Sequence, residues 1–576
     1  MLMRLRKKSA SLRSTCITSI LFLFHSCATI MAPNGGPKDT TPPKVVRYMP
    51  DSAATNYKGS EINIAFNEYI QLKDINNQLI ISPPLEEQPD IKLLKYKVLN
   101  IQFKKPLKEN TTYTLNFGNS IADYNEGNVL DGFQYIFSTG SFIDSLKVSG
   151  KVQYAYDHKT EKGILVMLYD VSQYDASALD SLPYKVIPSY FTKTKPDGSF
   201  RITNIHEGKY KIFALKDINN NYKYDAESEF IGFSDSLVTA GTKQEIALEM
   251  FKETPKKLRM LKADALGYGH IVMVFNQPVE NIHLKPLNVS KVPTEIMEYS
   301  PKMDSLHYWF EGVGGDSLKL QVSTDDKILD TAEVRLVTKE QATKSPKGEK
   351  LKLVCKTNIL PGQLQNPIDP VRLFFNHPLK GLEKERNLIL KEDTARQKID
   401  LSVSPHGDTL SIMPMKISVQ LIKNKLTDVV DTTKTASFGF SEDKNYSLFI
   451  PPGYFTDIFG QKNDTIKLGF KTHEQKYYGT LKLKLNVPQG AYVLQLLDSK
   501  DVVVKEEQVM DGKTFFYDYL TPGNYKIKLI IEKKPDHQWT PGNYLEKKQP
   551  EKVVFYSQPL IIRSDWDLEA EWKPEY

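Results

Sequence analysis

The residues with the clearest capacity for chemistry are oxygen-bearing side chains spaced along one short stretch. Asp217, Asn219, Asn221 and Asp225 occupy positions 1, 3, 5 and 9 of a loop, and Lys223 offers its carbonyl at position 7. That is the order in which an EF-hand-like loop presents oxygen ligands to calcium. The same side chains can instead close an Asn/Asp-rich hairpin turn by bonding to their own backbone. The pattern therefore predicts either a calcium loop or a plain turn.

A second chemically specific residue is Cys27, which follows a basic and then an apolar segment. Residues 1–13 carry five Lys or Arg and no acid, and an apolar run occupies 17–24. This order is typical of a signal peptide, and the run is shorter than the roughly 20 residues that span a bilayer. Ser26 and Cys27 resemble the end of a lipobox. The resemblance implies cleavage after Ser26 and a membrane anchor of acyl chains on Cys27; an ordinary secretory signal with an unrelated cysteine is the alternative.

Charge and cysteine content exclude other classes of function. The net charge of +6 falls to +1 when the five charges of the signal peptide leave, so nucleic acid has no electrostatic basis for binding. With Cys16 removed and Cys27 acylated, Cys355 has no partner for an intrachain disulfide, and its alternating context predicts a buried strand thiol. We find no nucleophile elbow, phosphate loop or zinc-protease motif, so we expect no enzyme.

Four large aromatic residues gather near the end of the chain. Trp539, Tyr544, Trp566 and Trp572 lie within the last forty residues. They predict either core and hairpin packing or an aromatic face that binds a sugar or a protein.

The elements that must position these residues are short alternating strands. A chain of 576 residues with 33 Pro, 31 Gly, 30 Tyr and 27 Phe is too long for one core and favours an all-β class. Clusters of Asn, Asp, Gly and Pro separate the strands. The breaker-rich stretch 32–43 is typical of an extended tether.

Internal similarity gives the most specific indication of fold. Segments 62–70, 271–279 and 371–379 each form an alternating strand that ends in Phe-Asn and continues into a turn. The first and third copies also share a distal half, with Tyr113-Thr114-Leu115 matching Tyr446-Ser447-Leu448, followed in both by an Asp-containing turn and a Phe-x-Thr strand. These residues resemble the SbsA-type bacterial Ig-like domain.

Two other blocks have a different pattern. Lys195-Pro196-Asp197-Gly198-Ser199-Phe200 and the later Gly208-Lys209-Tyr210-Lys211-Ile212 resemble the hairpin and strand of transthyretin-like or carboxypeptidase-regulatory-like sandwiches. The C-terminal block repeats the theme in Gly523-Asn524-Tyr525-Lys526-Ile527.

The resulting prediction is an all-β fold, a string of about five small antiparallel β-sandwiches, both Ig-like and transthyretin-like. The expected order is a signal peptide (1–26), a lipidated cysteine and tether (27–40), an SbsA-type Ig-like domain (41–141), a transthyretin-like or carboxypeptidase-regulatory-like domain (142–250), a divergent Ig-like sandwich (251–345), a second SbsA-type domain (346–474) and a C-terminal transthyretin-like sandwich (475–576).

This order is similar to Ig-like-domain lipoproteins of Bacteroidota. The resemblance implies a non-enzymatic outer-membrane lipoprotein, facing the periplasm or the surface, that acts as an envelope scaffold, adhesion or protein-binding module. Its expected partners are the membrane and another envelope protein. The alternative is a glycan-binding surface lipoprotein that supports polysaccharide capture.

Overall fold

The computed structural model describes residues 39–344, 351–383, 387–403, 409–423 and 430–576. The predicted signal peptide, Ser26 and Cys27 lie outside these residues. Within the described ranges, no helix has the length and apolar character that a membrane crossing requires. Contacts group the chain into two compact units: one runs to Val148 and includes Ser189–Thr192 and Ile202–Gly208, and the other holds the remainder.

The all-β prediction is confirmed. The described helices have four to six residues: α1 (Ile75–Gln78), α2 (Leu182–Lys185) and α3 (Lys339–Lys344). Strands in which alternate side chains are apolar build both units, because such a strand buries one face and leaves the other in water.

The first unit contains an Ig-like sandwich. Its strands are β1 (Val45–Met49), β2 (Glu61–Phe66), β3 (Ile70–Leu72), β4 (Ile80–Ser82), β5 (Asp90–Leu94), β6 (Val98–Gln102), β7 (Thr112–Asn116), β8 (Ile121–Asp123) and β9 (Gln134–Ser138). One sheet has the order β1-β2-β6-β5, another the order β4-β7-β9, and β3 pairs with β8. Ile62, Ile64, Leu99, Leu115 and Tyr135 lie in the core between them. Each such side chain contributes about 1.5–3 kcal/mol by leaving water.

The next strands are β10 (Leu146–Tyr154), β11 (Leu165–Asp170), β12 (Tyr190–Lys193), β13 (Ser199–Ile205), β14 (Lys209–Leu215), β15 (Ile231–Phe233), β16 (Val238–Thr239) and β17 (Ile246–Met250). β10 runs parallel to β17, and β14 is antiparallel to β11, β15 and β16. Gly198 turns the hairpin before β13 with φ +78°, and an added Cβ would lie 2.3 Å from the Val152 carbonyl oxygen. The Asp-Gly-x-Phe pattern therefore needs glycine for both backbone conformation and space.

A third sandwich follows. It contains β18 (Met260–Gly267), β19 (His270–Phe275), β20 (His283–Pro286), β21 (Thr294–Tyr299), β22 (Ser305–Glu311), β23 (Ser317–Ser323) and β24 (Ile328–Arg335). The sheets have the orders β18-β19-β22-β21 and β20-β23-β24. Ile271, Met273, Tyr308, Leu318 and Leu320 fill the space between them.

The fourth sandwich contains β25 (Cys355–Thr357), β26 (Val371–Phe375), β27 (Leu379–Leu382), β28 (Ile389–Glu392), β29 (Ala395–Arg396), β30 (Ile399–Val403), β31 (Thr409–Lys423), β32 (Val430–Phe438), β33 (Asn445–Ile450), β34 (Phe455–Asp457) and β35 (Ile466–Lys471). Its sheets have the orders β25-β26-β31-β30 and β29-β28-β33-β35, with β32 on β31 and β27 on β34. Val371, Leu373, Tyr446 and Leu448 belong to its core.

The last sandwich contains β36 (Gly479–Leu485), β37 (Ala491–Leu497), β38 (Val503–Val509), β39 (Lys513–Leu520), β40 (Gly523–Glu532), β41 (Lys552–Phe555), β42 (Leu560–Ile562) and β43 (Asp567–Trp572). One sheet has the order β39-β36-β43, and the other has the order β38-β37-β40-β41 with β42 also on β40. β43 is parallel to β36. Tyr525, Ile527 and Leu529 of β40 point into the core, so Lys528 and Ile530 lie on the outer face of the second sheet.

The asparagine of the Phe-Asn repeat has one structural role in all three copies. Its side-chain oxygen accepts the backbone N–H that precedes the first strand of each sandwich: Lys44 to Asn67 at 2.7 Å, Arg259 to Asn276 at 2.9 Å and Val354 to Asn376 at 2.6 Å. The asparagine therefore ties the end of the second strand to the start of the first.

The Tyr and Thr of the distal half also have matching contacts. Tyr113 accepts the backbone N–H of Lys108 at 3.0 Å, and Tyr446 accepts that of Ser441 at 2.7 Å. The Thr139 hydroxyl donates to the Lys108 carbonyl at 2.7 Å, and the Thr472 hydroxyl donates to the Ser441 carbonyl at 2.7 Å. These side chains, of which Tyr113, Tyr446 and Thr472 are buried, hold the entry to β7 and β33.

The Asp of this half organises the turn after it. The Asp123 carboxylate accepts three backbone N–H groups, including that of Gly127 at 2.9 Å. Asp457 accepts that of Gln461 at 2.7 Å and is hydrogen-bonded to His377 at 2.7 Å. Because Asp457 and His377 are both buried, this pair serves the fold and is closed to a substrate.

Candidate functional site

The four predicted loop residues come together in one turn between β14 and β15. Asp217 accepts the backbone N–H of Tyr222 at 2.8 Å and that of Asn221 at 3.3 Å. The side-chain amides of Asn219 and Asn221 donate to the two oxygens of Asp225 at 3.0 and 2.7 Å. The turn is thus closed by its own hydrogen bonds.

A buried carboxylate also holds the two ends of this turn by hydrogen bonds. Glu229 is fully buried and accepts backbone N–H groups from both ends of the turn, Ile218 at 3.2 Å, Asp225 at 3.1 Å and Ala226 at 3.2 Å. Calcium would require the Asn219 and Asn221 amides to present their oxygens instead of their nitrogens. In the part of the chain that the structure describes, no three His, Cys, Asp or Glu residues are grouped to hold a metal.

Cys355 begins β25 and packs against the core of the fourth sandwich. Burial raises the pKa of its thiol to about 12. A thiol with so high a pKa is almost entirely protonated at neutral pH, so it is a poor nucleophile.

The C-terminal aromatic residues do not form one face. Trp572 lies in the core of the last sandwich, Tyr544 is buried, and Trp539 is half-buried on the outer sheet, where its Nε1 donates to the Glu551 carbonyl at 2.9 Å. Trp566 alone among the four is well exposed, at 58 %. Packing therefore accounts for most of this group.

Trp566 lines a cavity of about 340 Å³ at one edge of the last sandwich. Tyr478, Asp518, Tyr519 and Asp565 also line it. A ring beside carboxylates is an arrangement that suits a sugar, because one face of a sugar is apolar and its hydroxyls donate hydrogen bonds.

A larger cavity, about 490 Å³, was not predicted from the sequence. It lies between residues 156–159, which follow β10, and the outer sheet of the last sandwich. The Tyr156 ring meets Trp539 edge-on with centroids 5.3 Å apart, and the Lys528 ammonium lies 3.0 Å from the Tyr156 ring centroid. Residues more than 300 positions apart in sequence therefore build it.

Two of the three lysines that line this cavity form ion pairs, and the third does not. Asp501 pairs with Lys526 at 2.8 Å and with Lys159 at 3.1 Å, and both lysines lower the pKa of Asp501. Asp157 lies 3.4 Å from Lys159. Lys528 is only 3 % exposed, and within the described residues no carboxylate or carbonyl accepts a bond from it. Burial lowers its pKa to about 8.

These features define an all-β protein assembled from several β-sandwiches. Residues 39–139 match the family described as the bacterial Ig-like domain. No curated protein matches the chain.

Three solved structures show how distant the comparisons are. The major pilin subunit BcpA of Bacillus cereus is 12 % identical over 74 % of this chain and 98 % of that one, with a TM-score of 0.13. Domains 1–6 of the surface layer protein SbsC are 9 % identical over 90 % of this chain and 66 % of that one, with a TM-score of 0.14. The Bacillus anthracis TIE protein is 10 % identical over 94 % of this chain and 76 % of that one, with a TM-score of 0.14. At such TM-scores these likenesses support no statement about the function of this chain.

Proposed function

We propose that this protein is a non-enzymatic, membrane-anchored envelope protein whose sandwiches together hold a binding surface for another envelope protein. The observation that carries the proposal is the burial of large aromatic side chains between sandwiches of the second unit. Interfaces of this kind resist relative motion of domains, which a scaffold needs and a loosely linked chain lacks.

One such interface joins the third and fourth sandwiches. Trp309 of β22 and Phe459 after β34 are buried in one cluster, with ring centroids 6.3 Å apart. The indole N–H of Trp309 donates to Glu298 at 2.8 Å, so its polar atom is satisfied. Rings of this size bury about 150–250 Å² each, enough to hold two small domains in register.

Another interface places Tyr544 of the last sandwich among aromatic residues near β14 and β15. Its ring lies 5.2 Å from that of Phe213 and 5.0 Å from that of Phe233. Its backbone N–H donates to Glu253 at 2.5 Å, and Lys547 pairs with Asp180 at 3.0 Å.

The anchor in this proposal is acylated Cys27, followed by the tether. Labelled palmitate should be incorporated by the wild-type protein, which should sediment with membranes, and Cys27→Ala should lose both properties. Cys355→Ala is the matched control, since its thiol packs against a sandwich core. Retention of label by Cys27→Ala would exclude this anchor.

The binding role needs a separate test. Cross-linking of intact cells followed by mass spectrometry should return the same envelope protein in repeated experiments, and recovery of a lone monomer would overturn the role. Protease treatment of intact cells distinguishes the surface from the periplasmic face. The matching contacts of Tyr113 and Tyr446 support assignment of 41–141 and 346–474 to the SbsA-type, and with the lipobox they favour a Bacteroidota outer-membrane lipoprotein.

Glycan capture is a second candidate, favoured by exposed Trp566 and its cavity. Calorimetric titration with envelope and plant polysaccharides should give binding that Trp566→Ala abolishes. Phe516→Ala is the control, because Phe516 is also an exposed ring of the last sandwich but does not line that cavity. Equal binding by wild type and Trp566→Ala would exclude this platform.

A further inference from the structure

The cavity beside Lys528 has the properties of a ligand site. Its volume of about 490 Å³ lies within the range of about 300–1,000 Å³ that holds small organic molecules. It lies between two sandwiches, where such sites are common. The half-exposed Tyr156 and Lys159 at its edge leave it open to solvent.

The position of Lys528 in the sheet explains why its side chain is buried. It lies on β40, a central strand, opposite Gln495 of β37 and Phe555 of β41. Residues 156–159 cover this face of the sheet, so the side chain is buried apart from the part that lines the cavity.

The charge balance selects the sign of the ligand. Three lysines line the cavity, and the two aspartates there pair with Lys159 and Lys526. Lys528 is the one lysine of this lining that makes no ion pair: Asp157, Asp501 and Glu506 act on it only through space, and the ring face of Tyr156 compensates only part of its lost hydration. A buried charge that lacks a counterion is costly, so a single anionic group from outside the chain would lower the free energy.

The other lining residues indicate the chemistry of the uncharged part of the ligand. Leu497, Val503, Phe555 and Tyr556 contribute apolar and aromatic surface. From these features we propose that the cavity binds a small monocarboxylate with an apolar ring, its carboxylate on Lys528 and its ring against Tyr156 and Phe555. One ammonium without an ion pair matches one negative charge, whereas a dianionic phosphate would bring a second charge without a partner.

The test uses the full chain and 4-fluorobenzoate, observed by fluorine NMR. Binding at a Kd of about 1 mM or tighter is expected, and Lys528→Met should weaken it about 10- to 100-fold, the loss typical of a charged hydrogen bond. Lys482→Met is the matched control, because Lys482 lies in the same sandwich but pairs with Glu569 outside the cavity. Its affinity should equal that of wild type.

Three results would overturn the proposal. They are no binding of 4-fluorobenzoate at roughly 10 mM, equal binding of the neutral 4-fluorobenzamide, and equal binding by Lys528→Met. Glucuronate serves as a further probe, since tighter binding of this polar carboxylate would contradict the apolar ring. If Lys528→Met does not fold, wild-type affinity at pH 7 and pH 10 still decides, because loss of the lysine charge should cost more than about 10-fold.

Discussion

Asn276 accepts a hydrogen bond from the backbone N–H of Arg259 at 2.9 Å, and its side-chain amide donates to the Lys257 carbonyl at 2.9 Å. One side chain thus ties the approach to β18 onto the end of β19. Asn376 makes both contacts in the fourth sandwich, with Val354 and Lys352. The asparagine fixes where the first strand of each sandwich begins to pair.

Replacing Asn276 with alanine should therefore loosen β18 without unfolding the protein. We expect a loss of about 1–2 kcal/mol in local stability, because two exposed hydrogen bonds disappear. Hydrogen exchange of peptides from 259–267, followed by mass spectrometry, measures this loss directly. Asn288→Ala, which removes contacts at Ser317 and Lys319 in the other sheet, is the control. Unchanged exchange in 259–267 would contradict the role of Asn276.

The repeat shows what sequence could and could not reveal. Alternation predicted the β2, β19 and β26 strands, because burial of one face is a local property of a segment. The asparagine was interpreted as a turn former, but its oxygen bonds a residue 17 to 23 positions earlier. A local sequence pattern cannot identify a partner so far away in the chain. The recurrence of asparagine at all three positions nevertheless indicated that the residue has one common role.

The candidate sites differ in the same way, because one is local in the chain and the other is not. Asp217 and Asp225 lie in one turn, because closely spaced Asp and Asn side chains bond to groups of their own stretch. The cavity beside Lys528 depends on residues 156–159, and no spacing relates them to β40. One sequence signal did exist: apolar Val493, Ile530 and Val553 stand side by side on the outer face of three strands, and the structure buries them there.

Gly269 should be needed for the packing of the third sandwich on the fourth. It has φ +62°, and a Cβ there would lie 2.3 Å from the Phe310 carbonyl oxygen and 2.6 Å from the Phe459 ring. Gly362 has φ +76° with nothing within 4 Å of its Cβ position. Alanine at Gly362 should cost about 1 kcal/mol from backbone strain alone, and alanine at Gly269 about 3 kcal/mol. Equal losses in thermal unfolding would show that the close contact is unimportant.

Calcium should stabilise the turn of Asp217 and Asp225 if it replaces the internal hydrogen bonds. We expect addition of millimolar calcium to raise the unfolding temperature, because a bound ion stabilises only the folded state. Asp225→Asn should remove this effect by deleting one of the two charges. Asp235→Asn, outside the turn, should leave it intact. No response of the wild type to calcium would identify the sequence as a plain hairpin turn.

Lys528 should make the last sandwich more stable as pH rises from about 8. Burial lowers its pKa to about 8, whereas the same lysine titrates near 10.5 in the unfolded chain. Between these values the unfolded state binds more protons, so the free energy of unfolding increases with pH. Below pH 8 both states are protonated, and the full destabilisation is present. Asp157, Lys159, Asp501, Lys526 and Glu506 are the charged groups that face it or act on it.

Lys528→Met should abolish this pH dependence. At pH 7 the variant should unfold about 2–8 °C above wild type, because an apolar side chain of similar length has no charge to desolvate. Only well above pH 10.5 should the difference disappear, since Lys528 is then neutral in both states. Tryptophan fluorescence is a suitable measurement, because three of the four tryptophans lie in the last sandwich. Lys482→Met should match wild type throughout. If Lys528→Met were less stable at pH 7, the contact with Tyr156 would outweigh the desolvation of the ammonium, and Lys528 would then hold the two sandwiches together as a net stabilising cation.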